Sequence, residues 1–199
     1  RRGDRYIVHG HKWFITGAEG AAHFILLART SDDPRRGLTA FLFHRDQPGW
    51  RILRRIPIMG PEEHGGHCEL AFEGLEVPDE NVLMKVGDGL RVTQIRLGPA
   101  RIHHCMRSIG LCELLIELMM VRSSERSAFG RTVIQYDTVQ RWIAESRVEL
   151  EQARLLSYRC AWRLDQAGHH GAWRDVSLIK VAVPAMLQRI ADRAMQVFG

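Results

Sequence analysis

The 199-residue chain has no apolar run near the roughly 18–20 residues that a membrane-spanning helix needs, which argues against a helical membrane protein. It has no internal repeat and no low-complexity tract. An apolar share of 45% with 26% charged residues excludes intrinsic disorder as the main state. No apolar export segment follows Arg1-Arg2-Gly3-Asp4-Arg5. The chain does not start with Met and enters a strand-like pattern within five residues, so it reads as an interior piece of a longer protein. There is no Walker loop, G-x-G-x-x-G, G-x-S-x-G or H-E-x-x-H, and nucleophilic hydrolysis has no support. Cysteine is limited to Cys68, Cys105, Cys112 and Cys160, with no C-x-x-C pair. That pattern suits buried apolar thiols in a reducing cytosol or an organelle matrix rather than a disulfide framework. Lysine is scarce as well: only Lys12, Lys85 and Lys180, so 28 − 3 = 25 of the cations are arginine.

Arginine enrichment suits ligands that carry phosphate. The net charge of +5 is spread evenly, with 14 cations and 13 anions in residues 1–100 and 14 and 10 in residues 101–199. No basic block marks a nucleic-acid surface.

The chain divides into two halves with different periods. Residues 5–77 read as β. Tyr6-Ile7-Val8, a His9-Gly10 turn and Lys12 to Thr16 suggest a hairpin; residues 24–30, 38–44, 50–56, 68–72 and 75–77 suggest further short strands. Gly and Pro between them point to an antiparallel barrel or sandwich. After Pro78 the period becomes helical. Ile102, Cys105, Ile109, Cys112, Ile116 and Met119 form one stripe of a helix over residues 87–125, widened by Leu111, Leu114, Leu115 and Leu118. Such girth suits a helix inside a bundle. Residues 137–167 form a second helix, with Asp137 as N-cap and Gly168 as stop, and residues 171–198 a third, which Pro184 should kink or deprive of one hydrogen bond. The fold class is therefore α+β: a β domain over residues 1–80, then three long helices of a four-helix bundle over residues 81–199. The fourth helix would come from further sequence or another subunit.

Several segments invite a chemical reading. Lys12-Trp13-Phe14-Ile15-Thr16-Gly17 offers aromatics and a hydroxyl to a flat ring system, although strand aromatics are usually core. His64 with Gly65-Gly66-His67 lacks carboxylate or Cys ligands at useful spacing, and no metal site is assigned. His103 and His104 project about 100° apart on a helix and cannot form an i, i+4 metal pair. Arg101 could face a phosphate or carboxylate, or only solvent. Glu125-Arg126-Ser127-Ala128-Phe129-Gly130-Arg131 could hold an adenosine diphosphate group, or simply join two helices.

Taken in order, these segments carry a resemblance. Residues 6–16 with Phe24-Ile25-Leu26-Leu27-Ala28-Arg29-Thr30 are similar to the middle β domain of acyl-CoA dehydrogenases. Pro48-Gly49-Trp50 resembles the family's "T-P-G-V" turn, and Phe72-Glu73-Gly74-Leu75-Glu76-Val77-Pro78 its "F-x-x-V-x-V-P" strand exit. The run from Asn81 to Leu90 is similar to "N-x-L-G-x-x-G-x-G", Glu125-Arg126 with Phe129-Gly130 to "E-R-x-x-F-G", and Gln196-Val197-Phe198-Gly199 to the start of "Q-x-x-G-G-x-G". The stretch from Gly98 to Arg107 resembles the subgroup of acyl-CoA dehydrogenase family members ten and eleven.

The resemblance implies an FAD-dependent α,β-dehydrogenation of an acyl-CoA thioester, with electrons passed to an electron-transfer flavoprotein. It implies FAD between the β domain and the bundle, in a homodimer or homotetramer. In that reading Phe14 packs on the flavin, Thr16 bonds near its N5, and Arg126, Phe129 and Gln196 hold the FAD of a neighbouring subunit. Arg101 faces the acyl-CoA pocket. Phe14 stands where the family usually has Trp. No catalytic base is assigned: Ala100 occupies one family position for the carboxylate, and the other lies beyond Gly199.

Overall fold

A computed structural model describes residues 1–59 and 66–199. Of the segment weighed above as a metal site, His64 and Gly65 lie outside the described residues. The chain forms two compact units, Arg1–Gln94 and Ile95–Gly199.

The first unit is built from β1 (Arg5–Thr16), β2 (His23–Arg29), β3 (Leu38–His44), β4 (Trp50–Ile56) and β5 (His67–Pro78). One antiparallel sheet has the order β1-β5-β4, and β2 pairs with β3 in a second. The two are joined by aromatic packing. Phe24 stacks on Phe43 at 4.8 Å, Trp50 lies 4.9 Å from Phe24 and 5.5 Å from Phe43, and Phe72 meets Phe43 edge-on at 5.9 Å. Val8, Leu26, Phe41, Leu70, Leu75 and Val77 complete this core. Such offset and edge-on pairs add to the burial of the rings themselves.

Two details differ from the sequence reading. β1 is one strand of 12 residues rather than a hairpin. His9 and Gly10 pair with Glu73 and Phe72, so the ladder with β5 passes straight through the expected turn. Likewise β5 runs unbroken from His67 to Pro78. The break expected between its two apolar stretches is a bulge: Val8 pairs with Leu75 and His9 with Glu73, which leaves Gly74 as the additional residue, at φ 83. A glycine in the left-handed region is the ordinary solution for a bulge of this kind.

The second unit contains most of α1 (Gly89–Glu125), a short hairpin of β6 (Ser127–Ala128) and β7 (Arg131–Thr132), and α2 (Asp137–Phe198). α2 is two helices joined at Gly168, whose φ of 64 and ψ of −175 are non-helical. Three long helical segments therefore follow the β unit. The stop at Gly168 falls where the sequence places it, while Pro184 remains inside the helix. Asp137 is not the N-cap: Tyr136 holds that position without a side-chain cap bond, and Asp137 lies in the first turn, where its charge favours the helix dipole.

The stripe of Ile102, Cys105, Ile109, Cys112, Ile116 and Met119 is buried against Leu150, Cys160, Ile179, Val183, Met186 and Ile190. Leu111, Leu114 and Leu118 are exposed. Ion pairs lace the helices together: Glu113 of α1 takes Arg154 at 2.7 Å and Arg147 at 3.6 Å, and Arg193 reaches Glu145 at 2.8 Å and Glu149 at 3.1 Å. Asp175, with its side chain almost buried, binds Arg159 at 2.9 Å.

Gly168 has open space around its Cα, so a side chain there meets only torsional strain. Gly168→Ala should lower stability by about 1–3 kcal/mol, the usual cost of such a backbone region, read as a fall in the urea midpoint by circular dichroism. Acid should act on the β unit. Hydrogen bonding to Arg55 and Arg51 lowers the Glu19 and Glu73 carboxyls from their ordinary 4.5, and backbone N–H groups of Arg36 and Arg35 lower Asp33 from 3.8. These contacts stabilise above the unfolded values and are lost as pH falls through the lower folded ones. The denaturant midpoint by Trp fluorescence should therefore drop between pH 7 and pH 3, and Glu73→Gln should narrow that drop.

Candidate functional site

Near its end β1 carries a second irregularity. Lys12 pairs with Leu70 and Ile15 with Cys68, so Trp13 and Phe14 together oppose the single residue Glu69. This bulge turns both rings outward. Trp13 is 60% and Phe14 50% exposed, with their centroids 5.0 Å apart. Phe14 has φ 55, which is a strained conformation for a bulky side chain. Two residues on, exposed Thr16 pairs with His67 at the end of the ladder, and its Oγ1 lies 2.9 Å from His67 Nδ1. His67 also meets the Phe14 ring edge-on at 6.0 Å. The β unit thus presents two aromatic faces, a hydroxyl and an imidazole side by side. Lys12 and Ile15, on either side of the bulge, line a 190 Å³ pocket together with Phe24, Leu26, Leu70 and Phe72, among others.

The second unit carries the other residues singled out from sequence. β6 and β7 pair Ser127 with Thr132 and Ala128 with Arg131. Phe129 and Gly130, at φ 50 and φ 82, form the two-residue turn between them, of the type that needs positive φ at both positions. The Phe129 side chain at its tip is 99% exposed. The hairpin is fixed rather than loose. Tyr136 Oη donates to the Ala128 carbonyl at 2.8 Å, the Arg131 guanidinium lies 3.8 Å from the centroid of the Tyr136 ring, and the Val133 N–H donates to the Arg126 carbonyl at 2.8 Å. Arg126 is exposed and has no carboxylate partner among the described residues.

Gln196 is exposed near the end of α2. The Arg122 guanidinium packs over Phe198 at 5.7 Å, which brings the end of α2 to the hairpin end of α1. Arg126, Phe129 and Gln196 therefore share one end of the helical unit. Half-buried Arg101 is on α1, 21 residues before Arg122, hence about 30 Å away along the helix.

Sequence reasoning missed two residues. The sequence shows His67 only as a rejected metal ligand, because its pairing with Thr16 depends on strand register. Arg122 was not singled out, yet its Nε is buried without a hydrogen-bond partner.

The thiols supply no nucleophile. Burial pushes Cys112 and Cys160 up to about 11 and raises Cys105 and Cys68 as well. Among the described residues no three His, Cys, Asp or Glu side chains gather as a metal would require, and no helix is long and apolar enough to cross a membrane.

Family models for the acyl-CoA dehydrogenase middle domain and C-terminal domain match residues 1–75 and 87–199. The chain belongs to the acyl-CoA dehydrogenase family. It is 39% identical to acyl-CoA dehydrogenase family member 11 of Rattus norvegicus, covering 100% of this chain and 26% of that protein. It is 40% identical to family member 10 of Mus musculus, covering 98% and 19%. Butyryl-CoA dehydrogenase from Megasphaera elsdenii superposes with a TM-score of 0.89 at 27% identity, covering 100% of this chain and 52% of that one. The prolyl acyl carrier protein oxidase AnaB gives 0.91 at 25%, with the same coverage. The chain thus spans about half the length of these solved structures and about a quarter and a fifth of the two mammalian relatives. In the acyl-CoA dehydrogenase pattern "N-x-L-G", Met84 occupies the glycine position at φ 65, one of three non-glycine residues with positive φ among those described; the other two are Phe14 and Phe129.

Phe129 makes the turn with a residue poorly suited to it and leaves its ring in solvent. Phe129→Asn should therefore raise the thermal midpoint modestly, by the equivalent of about 1 kcal/mol, since asparagine tolerates this turn. Scanning calorimetry checks this.

Proposed function

We propose that the protein containing this chain is an FAD-dependent acyl-CoA dehydrogenase that converts an acyl-CoA thioester to the trans-2-enoyl-CoA. The carrying observation is the β1 bulge: two exposed aromatic rings, one on a strained backbone, beside an exposed hydroxyl. Strain of this sort persists where the surrounding structure enforces it, and it clusters at ligand sites. The donor set fits a flavin. Phe14 would wall one side of the ring system and Thr16 would bond near its N5. Arg126 and Phe129 would hold the pyrophosphate and adenine of a neighbouring subunit's FAD, with Gln196 in the same contact. An exposed, unpaired arginine beside an exposed ring has the chemistry for that role.

When bound, FAD supplies the hydride acceptor for the β carbon. Arg101 would face the acyl-CoA. Ala100 holds one family position for the carboxylate that takes the α proton and cannot act as a base, so no residue of this chain is assigned that role. Electrons would leave through an electron-transfer flavoprotein. The assembly would be a homodimer or homotetramer, cytoplasmic in a bacterium and in an organelle matrix otherwise. The two domains would be residues 1–80 and residues 81–199.

A second reading, an acyl-CoA oxidase or a flavin monooxygenase on the same scaffold, draws support from the acyl carrier protein oxidase that superposes at TM-score 0.91. A non-catalytic helical oligomerisation module is excluded if the purified protein carries flavin.

The full-length protein should show bound flavin in its visible spectrum and bleach on addition of acyl-CoA. Acceptor reduction without peroxide release favours the dehydrogenase; stoichiometric peroxide favours the oxidase. Arg126→Ala should reduce flavin content at least tenfold, while Thr16→Val should keep the flavin and slow its reduction. The 199-residue piece alone should not turn over acyl-CoA.

A further inference from the structure

His67 has no place in the proposed chemistry, yet it is the closest polar partner of the hydroxyl at its centre. Its Nδ1 lies 2.9 Å from Thr16 Oγ1. The two residues are the last cross-strand pair between β1 and β5, and His67 is held from the other side by its pairing with Ile56 of β4. The Gly17 N–H donates to the Gly66 carbonyl at 3.1 Å and closes the ladder just beyond them. The imidazole also meets the Phe14 ring edge-on, with centroids 6.0 Å apart. Among the described residues Nε2 has no hydrogen-bond partner, so the ring can carry its proton on either nitrogen.

A threonine hydroxyl has one proton. If His67 Nδ1 carries a hydrogen, it donates to Oγ1, and the hydroxyl proton is free to point at an outside acceptor. If Nδ1 is bare, the hydroxyl donates to it and offers only lone pairs outward. The same 2.9 Å contact therefore supports two opposite faces of one side chain. A flavin ring nitrogen presents the matching pair, an acceptor when oxidised and an N–H donor when reduced.

We propose that His67 is a positioning residue whose Nδ1 sets the direction of the Thr16 hydroxyl, letting it donate to the oxidised flavin and accept from the reduced one. The role rests on the reading in which Thr16 faces the flavin. It assigns no contact between His67 and substrate.

The test uses the full-length, flavin-loaded protein and reads the visible spectrum and midpoint potential of the flavin, its content, and its rate of reduction by acyl-CoA. His67→Phe keeps a ring edge for Phe14 and removes the hydrogen bond. It should retain flavin, shift spectrum and potential in the same direction as Thr16→Val, and slow reduction about tenfold, the scale of one hydrogen bond. His67→Asn, whose amide reaches the place of Nδ1, should restore all three towards the native values. If His67→Phe loses the flavin, His67→Gln replaces it, because its amide falls at the place of Nε2. Native spectrum and potential in the Phe or Gln variant, beside shifted values in Thr16→Val, would overturn the role of His67 and leave that of Thr16 standing. Failure of His67→Asn to restore the readings would also overturn it. A silent Thr16→Val would overturn the placement of Thr16 itself.

Discussion

The ladder between β1 and β5 is the constraint on which the candidate site depends. Its register puts Thr16 opposite His67, and its mismatch of two residues against one ejects Trp13 and Phe14 from the sheet. A strict alternation would have turned one of those rings inward. The ladder also crosses the whole β unit, so the apolar face of β5 that anchors the aromatic core and the polar end that meets Thr16 belong to one strand. A slip of one residue would exchange the two faces. The glycine bulge at Gly74 takes up the extra residue that otherwise would force such a slip.

Arginine does different work in the two units than composition alone suggests. Many of its side chains meet carboxylates of the same chain rather than await phosphate. Arg51 binds Glu73, Arg54 binds Glu69, and Arg147 and Arg154 converge on Glu113 and Glu151. Exposed pairs of this kind add little to stability individually. Their geometry matters more between helices, where a forked guanidinium joins two carboxylates and fixes the offset of α1 against α2. Among the described residues Arg126 is one of several exposed arginines without a carboxylate partner; what sets it apart is its place on a hairpin that holds its backbone, beside the exposed Phe129 ring.

Two of the five residues that resemble the family's cofactor contacts are also places where the backbone departs from its comfortable range. Phe14 and Phe129 both adopt positive φ and both expose an aromatic ring. Neither arrangement helps the isolated chain fold. Both make sense where a ligand or neighbouring subunit covers the ring, which is the state the proposed FAD site would provide.

The amino-acid pattern by itself determined the change from β to helical period near Pro78, the stripe from Ile102 to Met119 and the stop at Gly168, because periodicity and glycine act locally. The order of motifs was enough to indicate the acyl-CoA dehydrogenase family. Local signals misread His9-Gly10 as a turn and split β5 in two, since glycine in a turn and glycine in a bulge look alike until a partner strand is known. The exposed rings and the Thr16–His67 contact were beyond local reading for the same reason. They join positions 51 residues apart, and only the register of two long strands decides which side chains meet.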